Sequence, residues 1–283
     1  MENIINYTLA EDLLLVENVS VKYGNKTIIR NIGNSQIPFI IKDVKRENIQ
    51  QGQTVAVLGR SGRGKSTFFK ALTGIIKPAT GTIKIPDIKS PNNFINIKEG
   101  NVGYVQQNFP LSRNQSVYEM LVDATVQGQI PASERKNIID TYLSNWELTA
   151  QKNLVPNQLS GGQKQRVAII EQLLCSHYFI VLDEPFSGLD VCNIDDVKDS
   201  FKKVTQSHEI NTIIFSTHDI DLAVELADEI YIIGYEKNTN GEFEPGGTVV
   251  GYYDLKKLNL AWKDYSAEHK ELVDMIKKQF KVS

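Results

Sequence analysis

The N-terminal part of the chain alternates apolar and polar positions with a period of two, which is typical of half-buried strands. The clearest alternation runs over residues 13–23, and two further apolar runs cover residues 27–32 and 37–44. Strands that follow one another this closely usually pair as neighbours. We therefore predict an antiparallel β flap, preceded by an N-terminal extension at residues 1–11.

The pattern changes at Thr54, where the continuous apolar run TVAVL ends in a glycine. Such a run indicates a strand buried on both faces, and the next residues, 65–72, suit a helix that closes at Gly74. Strand and helix patterns then alternate: helix 162–175, strand 179–182, helix 193–207, strand 212–216, helix 219–227 and strand 229–233. This alternation predicts an α/β fold with a mostly parallel sheet covered by helices.

Residues 108–158 interrupt the alternation. Helical patterns cover residues 117–126 and 132–146, prolines at positions 110, 131 and 156 mark boundaries, and strand signals are few. We interpret this segment as a small helical lobe inserted into the α/β core.

The C-terminal part of the chain begins with a turn. Residues 237–247 are rich in Gly, Asn and Glu and lead into a predicted strand at residues 248–252. Apolar positions at helical spacing then predict a docked helix over residues 262–280; they are Leu272, Met275, Ile276 and Phe280.

Composition narrows the class of protein. The 283 residues include 41% hydrophobic and 23% charged residues, as in ordinary globular domains. A net charge of −3 argues against nucleic-acid binding by bulk charge, and the two cysteines have no zinc-site spacing. No stretch approaches the ~20 consecutive apolar residues of a membrane-spanning helix, so we expect any membrane role to depend on a partner.

GRSGRGKST at residues 59–67 fits the pattern G-x-x-x-x-G-K-[ST], between the strand and the helix that this pattern requires. Glycines let backbone N–H groups turn towards a phosphate, and the helix N-terminus adds its dipole. Lys65 is expected to neutralise the β- and γ-phosphates, and Ser66 to ligate Mg²⁺. The residues predicted to contact nucleotide are Gly59, Ser61, Gly62, Gly64, Lys65, Ser66 and Thr67. We therefore expect a P-loop NTPase core.

FIVLDEP at residues 179–185 is an apolar strand that ends in two carboxylates. An Asp at this place beside a phosphate loop supplies the hard oxygen that Mg²⁺ needs, so Asp183 is the predicted metal-side residue. Glu184 is the predicted general base for the attacking water. A solvated or helix-capping acid pair is the alternative for these residues taken alone.

LSGGQKQR at residues 159–166 places a Ser-Gly-Gly turn at the start of a long helix. It too presents a hydroxyl group, N–H groups and a positive helix end to an anion. Two such ends can meet one nucleotide if two copies pack head to tail, and a two-fold dimer then has two composite sites.

The LSGGQ motif, after a phosphate loop in the same chain, resembles the signature of the ATP-binding cassette (ABC) family. The resemblance covers roughly residues 12–235. It implies an ABC ATPase domain over residues 12–251, with a helical tail at 252–283. It also implies that the signature contacts the γ-phosphate bound by the opposite protomer; these residues are Ser160, Gly161, Gly162 and Gln163.

Four further positions match the family in order, and their roles are implied by the resemblance. Gln107 corresponds to the glutamine that reaches Mg²⁺ and the attacking water, although Gln106 lies beside it. Asp190 in SGLD corresponds to the residue that communicates across the dimer. His218 corresponds to a γ-phosphate contact, and Tyr23 to the aromatic side chain that stacks on adenine; packing is the alternative for Tyr23.

The sequence departs from the family in three places. The segment between Tyr23 and Gly59 is long, with residues 31–38 as the expected extra loop. Arg60 and Arg63 stand where small residues or proline are common, and we expect both to face solvent without a role. Glu171 is expected to be a solvent-facing or ion-paired acid.

The resemblance implies an ATP- and Mg²⁺-dependent ATPase that powers a transporter, with a weaker indication of import. The expected partners are a second copy or a second cassette, transmembrane permease subunits and, for import, a solute-binding protein. The expected location is the cytoplasmic face of a membrane. Two alternatives remain: a soluble cassette ATPase of DNA repair, translation or regulation, and a small-molecule kinase, which leaves LSGGQ unexplained.

Overall fold

The computed structural model describes residues 7–46, 49–51, 53–87, 90–176, 179–187, 199, 201, 212–261 and 263–280. The strands within these ranges are β1 (Tyr7–Tyr23), β2 (Lys26–Ile32), β3 (Phe39–Arg46), β4 (Ile49–Gln51), β5 (Thr54–Leu58), β6 (Thr80–Asp87), β7 (Ser90–Asn96), β8 (Gly103–Val105), β9 (Phe179–Leu182), β10 (Thr212–Thr217), β11 (Glu229–Gly234) and β12 (Thr248–Asp254). The helices are α1 (Lys65–Leu72), α2 (Val117–Gln127), α3 (Ala132–Asn145), α4 (Gly161–Cys175), α5 (Ile220–Leu226) and α6 (Ala267–Phe280).

The predicted antiparallel flap is confirmed, and it is larger than the sequence indicated. Its strand order is β4-β3-β1-β6-β7, with β2 also paired to β1 across a two-residue turn at Gly24 and Asn25. Strand β1 begins at Tyr7 and pairs with β3 as far as Arg46, so the described part of the predicted extension continues the sheet. The additional chain length before the phosphate loop forms the β3–β4 hairpin as well as a loop after β2.

The second sheet has the order β12-β11-β5-β10-β9-β8 and is parallel except for the pairing of β11 with β12. This confirms the predicted α/β fold with its mostly parallel sheet. Strand β5 lies between β10 and β11 and is buried throughout. Val55 and Val57 pack on the side of the antiparallel sheet and α1, whereas Ala56 and Leu58 pack towards the helical lobe, α4 and α6. Burial on both faces explains the continuous apolar run.

The helical lobe is confirmed within a residue or two of its predicted helices. A capping box starts α2: the Glu119 N–H donates to Ser116 Oγ at 3.3 Å, and the Ser116 N–H donates to Glu119 Oε2 at 2.7 Å. The lobe residues Ile139, Leu143 and Trp146 are buried in the same hydrophobic cluster as α4 and the parallel sheet. The lobe is therefore packed as part of one core with the phosphate-binding half.

Two elements differ from the sequence prediction. The β6–β7 hairpin was not predicted, because prolines and polar residues at positions 86–93 weaken its alternation. The C-terminal helix begins at Ala267, five residues after the predicted start. Ser266 precedes it and its Oγ contacts Glu268 Oε2 at 2.5 Å, a polar contact that marks the first turn. The predicted helix 193–207 lies outside the described residues except Asp199 and Phe201.

In the part of the chain that the structure describes, every helix is too short or too polar to cross a bilayer.

Candidate nucleotide site

The phosphate loop connects β5 to α1, as predicted. Gly62 and Gly64 have positive φ angles of 77° and 93°, which glycine adopts without strain. A Cβ atom on Gly59 would lie 2.8 Å from the carbonyl oxygen of Ile233, so β11 leaves room only for glycine there. The loop is thus held in a shape that larger residues at these positions would disturb.

Lys65 is buried at the start of α1, with 6% of its side chain exposed. Its Nζ donates to the carbonyl oxygen of Gly59 at 2.7 Å and forms an ion pair with Glu184 Oε1 at 2.9 Å. The ammonium group is therefore held inside the loop, where an arriving phosphate would compete with Glu184 for it.

Glu184 connects the loop to the next strand. Its second carboxylate oxygen lies 2.9 Å from Nδ1 of His218, and its N–H donates to Ser216 Oγ at 2.9 Å. Its φ of 49° is in the left-handed region, which costs a non-glycine residue on the order of 1–3 kcal/mol. The contacts with Lys65 and His218 hold the carboxylate, and the hydrogen bond to Ser216 holds the strained backbone.

Asp183 is buried just behind Glu184. Its Oδ1 accepts from Ser216 Oγ at 2.7 Å, and its Oδ2 accepts from the Tyr104 hydroxyl at 3.2 Å. Burial and the Asp183 carboxylate raise the pKa of Tyr104, so its hydroxyl stays protonated and can donate. Tyr104 and Ser216 were not assigned from the sequence. The signal that could have found them is their place near the ends of strands β8 and β10, at the sheet edge that carries the site.

A cleft of about 770 Å³ lies beside the phosphate loop, Glu184 and His218. Its lining contains most of the predicted phosphate and catalytic residues, and it also contains four residues to which sequence reasoning assigned no role. The lining residues are Ile28, Arg60, Ser61, Gly62, Gly64, Lys65, Ser66, Thr67, Gln107, Glu184, Ser187, His218 and Phe280. The unassigned residues are Ile28, Arg60, Ser187 and Phe280.

Gln107 and its neighbour Gln106 line different surface features. Gln107 lines the cleft and its Nε2 donates to Ser187 Oγ at 3.0 Å. Gln106 lines a different groove, beside Thr73 and Glu99. Of the two glutamines, Gln107 is therefore the one that lines the cleft of the phosphate loop.

Oxygen donors of the kind that Mg²⁺ prefers lie near the phosphate loop. Ser66, which carries a hydroxyl group, and Gln107, which carries an amide oxygen, both line the cleft. Asp183 is buried behind Glu184 and contacts Ser216. Within the described residues, no group of three or more His, Cys, Asp or Glu side chains could hold a metal ion on its own. The arrangement fits a Mg²⁺ ion that takes further oxygens from a nucleotide and water.

The signature segment lies at the start of α4, outside the cleft of its own chain. The Gln163 N–H donates to Ser160 Oγ at 3.3 Å, and the Ser160 N–H donates to Gln163 Oε1 at 2.9 Å. Ser160 and Gly161 are exposed, whereas Gly162 is buried. The structure therefore does not bring this segment to the phosphate loop within one chain.

A buried glutamine joins α4 to the acidic loop. Gln165 is 1% exposed, and its Nε2 donates to the carbonyl oxygen of Pro185 at 2.9 Å. Sequence reasoning did not assign it, because only the packing of α4 against the loop after β9 shows the contact.

Two expectations are wrong. Arg63 does not simply face solvent, because its guanidinium lies 3.9 Å from the centre of the Tyr235 ring. Glu171 is partly buried and forms no ion pair among the described residues; burial, with a smaller effect of the Asp123 carboxylate, raises its pKa to about 7. Arg60 is exposed to solvent, as expected, and it also lines the cleft.

One predicted site residue within the described part of the chain, Tyr23, is not among these contacts. Tyr23 ends β1 with 51% of its surface exposed, as an aromatic platform or a surface side chain would be. Asp190 lies outside the described residues.

Comparison with known proteins identifies the family. The ABC transporter family model matches residues 43–187. The sulfate/thiosulfate import ATP-binding protein CysA of Synechocystis is 31% identical over 85% of the chain, which spans 62% of that relative's length. The arginine transport ATP-binding protein ArtM of Bacillus subtilis is 32% identical over 77% of the chain and 86% of its own length.

Solved structures agree on the fold. An ATP-binding subunit of an ABC transporter superposes with a TM-score of 0.65 at 22% identity, covering 93% of this chain and 99% of the other. An ATP-binding cassette solved as a dimer with ADP and Pi has a TM-score of 0.61 at 26% identity, covering 86% and 99%. The resemblance inferred from the phosphate loop and LSGGQ is thus confirmed: the chain belongs to the ABC transporter family of ATP-binding proteins.

Proposed function

We propose that the chain binds ATP with Mg²⁺, dimerises around it and hydrolyses it, and that this cycle drives import of a solute through a separate transmembrane partner. One observation carries the proposal. Lys65, Glu184 and His218 are linked by contacts of 2.9 Å inside the phosphate-loop cleft, whereas the second anion-binding helix start, at Ser160, is exposed elsewhere.

The first step is a change of partner for Lys65. Its ammonium group is paired with Glu184, so an arriving γ-phosphate competes with that carboxylate. Once Lys65 turns to the phosphate, Glu184 is left in contact with His218 and can orient a water molecule. Ser66, Gln107 and Asp183 would hold Mg²⁺, which neutralises charge on the β- and γ-phosphate oxygens.

Hydrolysis is an in-line displacement. Glu184 accepts a proton from the water, whose oxygen bonds to the γ-phosphorus as the bond to the bridging oxygen of ADP breaks. His218 and the N–H groups of the loop stabilise charge on the transferred group. The start of α4 from a second copy, with Ser160, Gly161, Gly162 and Gln163, completes the site from the other side.

Transport is supported by the relatives and by the groove near Gln106. The matched proteins are import and transport ATP-binding proteins by name, which favours transport over repair or translation. The groove lined by Thr73, Glu99 and Gln106 lies beside the helical lobe and is a place for a membrane partner to dock. We propose permease subunits there, a solute-binding protein outside, and the chain on the cytoplasmic face. If a polytopic membrane protein is encoded beside its gene, co-expression with that protein should bring the chain to the membrane fraction.

The dimer is tested with Glu184→Gln, which should bind ATP and hydrolyse it slowly. Light scattering after size exclusion should show a monomer without nucleotide and a dimer with ATP and Mg²⁺. The double variant with Ser160→Phe should bind ATP and stay monomeric, because the ring blocks the composite site. A monomer in every condition, with ATP bound, would rule out dimerisation driven by ATP alone.

A further inference from the structure

The C-terminal helix α6 reaches the nucleotide site. Phe280, in its last turn, lines the same cleft as Lys65, Glu184 and His218. Among the described lining residues, Phe280 and Ile28 supply the large apolar side chains. A helix that begins far from the phosphate loop in sequence thus forms part of the cleft wall.

The last turn of α6 is held in place by specific contacts. Gln279 Nε2 donates to the carbonyl oxygen of Val250 at 2.8 Å, and Gln279 Oε1 accepts from the Tyr253 hydroxyl at 2.8 Å. A Cβ atom at Gly251 would lie 2.6 Å from Gln279 Nε2, so β12 and α6 approach closely. Phe280 is the next residue in the helix, so these contacts also fix its position.

Helix α6 also packs on the helix that follows His218. Asp219 caps α5, with its Oδ1 accepting from the Leu222 N–H at 3.1 Å. Lys277 Nζ of α6 lies 2.9 Å from Asp221 Oδ2 in the first turn of α5. Ile220 and Phe280 line one groove, which shares Arg60 with the nucleotide cleft.

We propose that α6 is a positioning element of the ATP site, which holds the His218 segment through α5 and closes the cleft on that side with Phe280. The inference rests on the proposed ATPase function. An apolar ring at the rim limits the access of water, and this strengthens electrostatic interactions within the cleft. The placement of His218 and Glu184 affects hydrolysis more strongly than it affects nucleotide binding. Helix α6 therefore acts chiefly on the chemical step.

The test compares Phe280→Ala, Phe280→Leu and Met275→Ala by steady-state ATPase kinetics and by binding of a fluorescent ATP analogue. Met275 is the matched control, since it lies on the same helix with 56% of its surface exposed. Phe280→Ala should lower kcat about tenfold, less than the roughly 100-fold cost of misplacing a catalytic group by about 1 Å, with the dissociation constant changed less than about twofold. Phe280→Leu should restore much of kcat, and Met275→Ala should match the unchanged protein.

A second pair of variants tests the connection to α5. Lys277→Glu, which places like charges beside Asp221, should lower kcat, and adding Asp221→Lys should restore it. An unchanged kcat in Phe280→Ala overturns the inference, and so does a higher kcat, because α6 would then restrain the site. If the unchanged protein binds and hydrolyses ATP and these variants have the same kcat as it does, only the inference fails. If the unchanged protein neither binds nor hydrolyses ATP, the proposed function itself fails.

Discussion

Lys65 Nζ lies 2.9 Å from Glu184 Oε1, so the cation that should bind phosphate is paired with the carboxylate that should activate water. In the proposed function, nucleotide binding replaces one anion by another at Lys65, and Glu184 is then free to orient a water molecule.

The first prediction concerns the competition for Lys65. In Glu184→Gln the neutral amide competes less strongly with the γ-phosphate, so ATP affinity should rise severalfold. Hydrolysis should fall at least about 100-fold, the usual loss when a general base is removed. Calorimetric titration with ATP and a phosphate-release assay measure the two effects. Weaker ATP binding would show that Glu184 does not compete for the ammonium group.

The second prediction concerns the loss of ATP affinity when Lys65, the other member of the ion pair, is replaced. Lys65→Ala removes a charge-assisted hydrogen bond to the phosphate, worth about 1.5–3 kcal/mol, so affinity should fall roughly 10- to 100-fold. The same titration measures it, with Lys70→Ala on the same helix as control. Equal affinities in the two alanine variants would contradict the assignment of Lys65.

The third prediction concerns Tyr104, whose hydroxyl donates to Asp183 Oδ2 at 3.2 Å. Tyr104→Phe leaves that oxygen without this donor, and loss of such a supporting bond typically weakens metal affinity 10- to 100-fold. The Mg²⁺ concentration for half-maximal ATPase activity should rise by roughly tenfold, while ATP at saturating Mg²⁺ binds as before. A Mg²⁺ titration of activity that is unchanged would mean that Asp183 does not support the metal.

The fourth prediction concerns pH. Burial raises the pKa of Glu171 to about 7, with the Asp123 carboxylate adding to the effect. The unfolded chain releases this proton near its ordinary pKa of 4.5, whereas the folded chain keeps it until about pH 7. Between these values the folded state binds more protons, so stability falls as pH rises, by up to about 3 kcal/mol. Below pH 4.5 the contribution is complete, and above pH 7 it is lost.

Glu171→Gln should remove this dependence, because the amide does not titrate. Urea unfolding at pH 5 and pH 8 should show a larger difference for the unchanged protein than for the variant. Glu147→Gln, at an exposed site, is the control. Identical pH profiles for all three proteins would contradict the raised pKa.

The fifth prediction concerns a buried ion pair away from the site. Lys256 Nζ lies 2.6 Å from Glu229 Oε1 and 3.2 Å from Gln53 Oε1, and its side chain is 1% exposed. Lys256→Met leaves the Glu229 carboxylate buried without this cation, which should cost about 3–5 kcal/mol of unfolding free energy. Urea unfolding measures the loss. Adding Glu229→Leu should recover most of it, and a further loss instead would show that the ion pair is not the cause.

The sequence predicted the parts of the site that depend on local chain order. A phosphate loop needs its glycines, its lysine and a strand before it, so β5, Gly64 and Lys65 could be placed from adjacent residues alone. The acid pair after β9 could also be placed from adjacent residues, because it directly follows an apolar strand. These features are local, and the structure has them where the pattern indicated.

The features that sequence reasoning missed depend on packing between distant segments. Phe280 lines the cleft only because Gln279 docks on β12, more than two hundred residues after the phosphate loop. Arg63 has the ring of Tyr235 beneath it because the turn after β11 folds back over the loop. The burial of Glu171 follows from the packing of α4 in the hydrophobic cluster that includes α2, which helical periodicity alone does not determine.

The hydrogen bond from Gln165 to Pro185 has a consequence for the proposed dimer. In that dimer, it would join the helix that contacts the partner's nucleotide to the loop that contacts the chain's own nucleotide. A shift of α4 when one ATP binds should therefore change the affinity of the second site for ATP, and this coupling is reciprocal. The dimer should respond to ATP as a single cooperative unit, with a steeper dependence on its concentration than two independent sites would give.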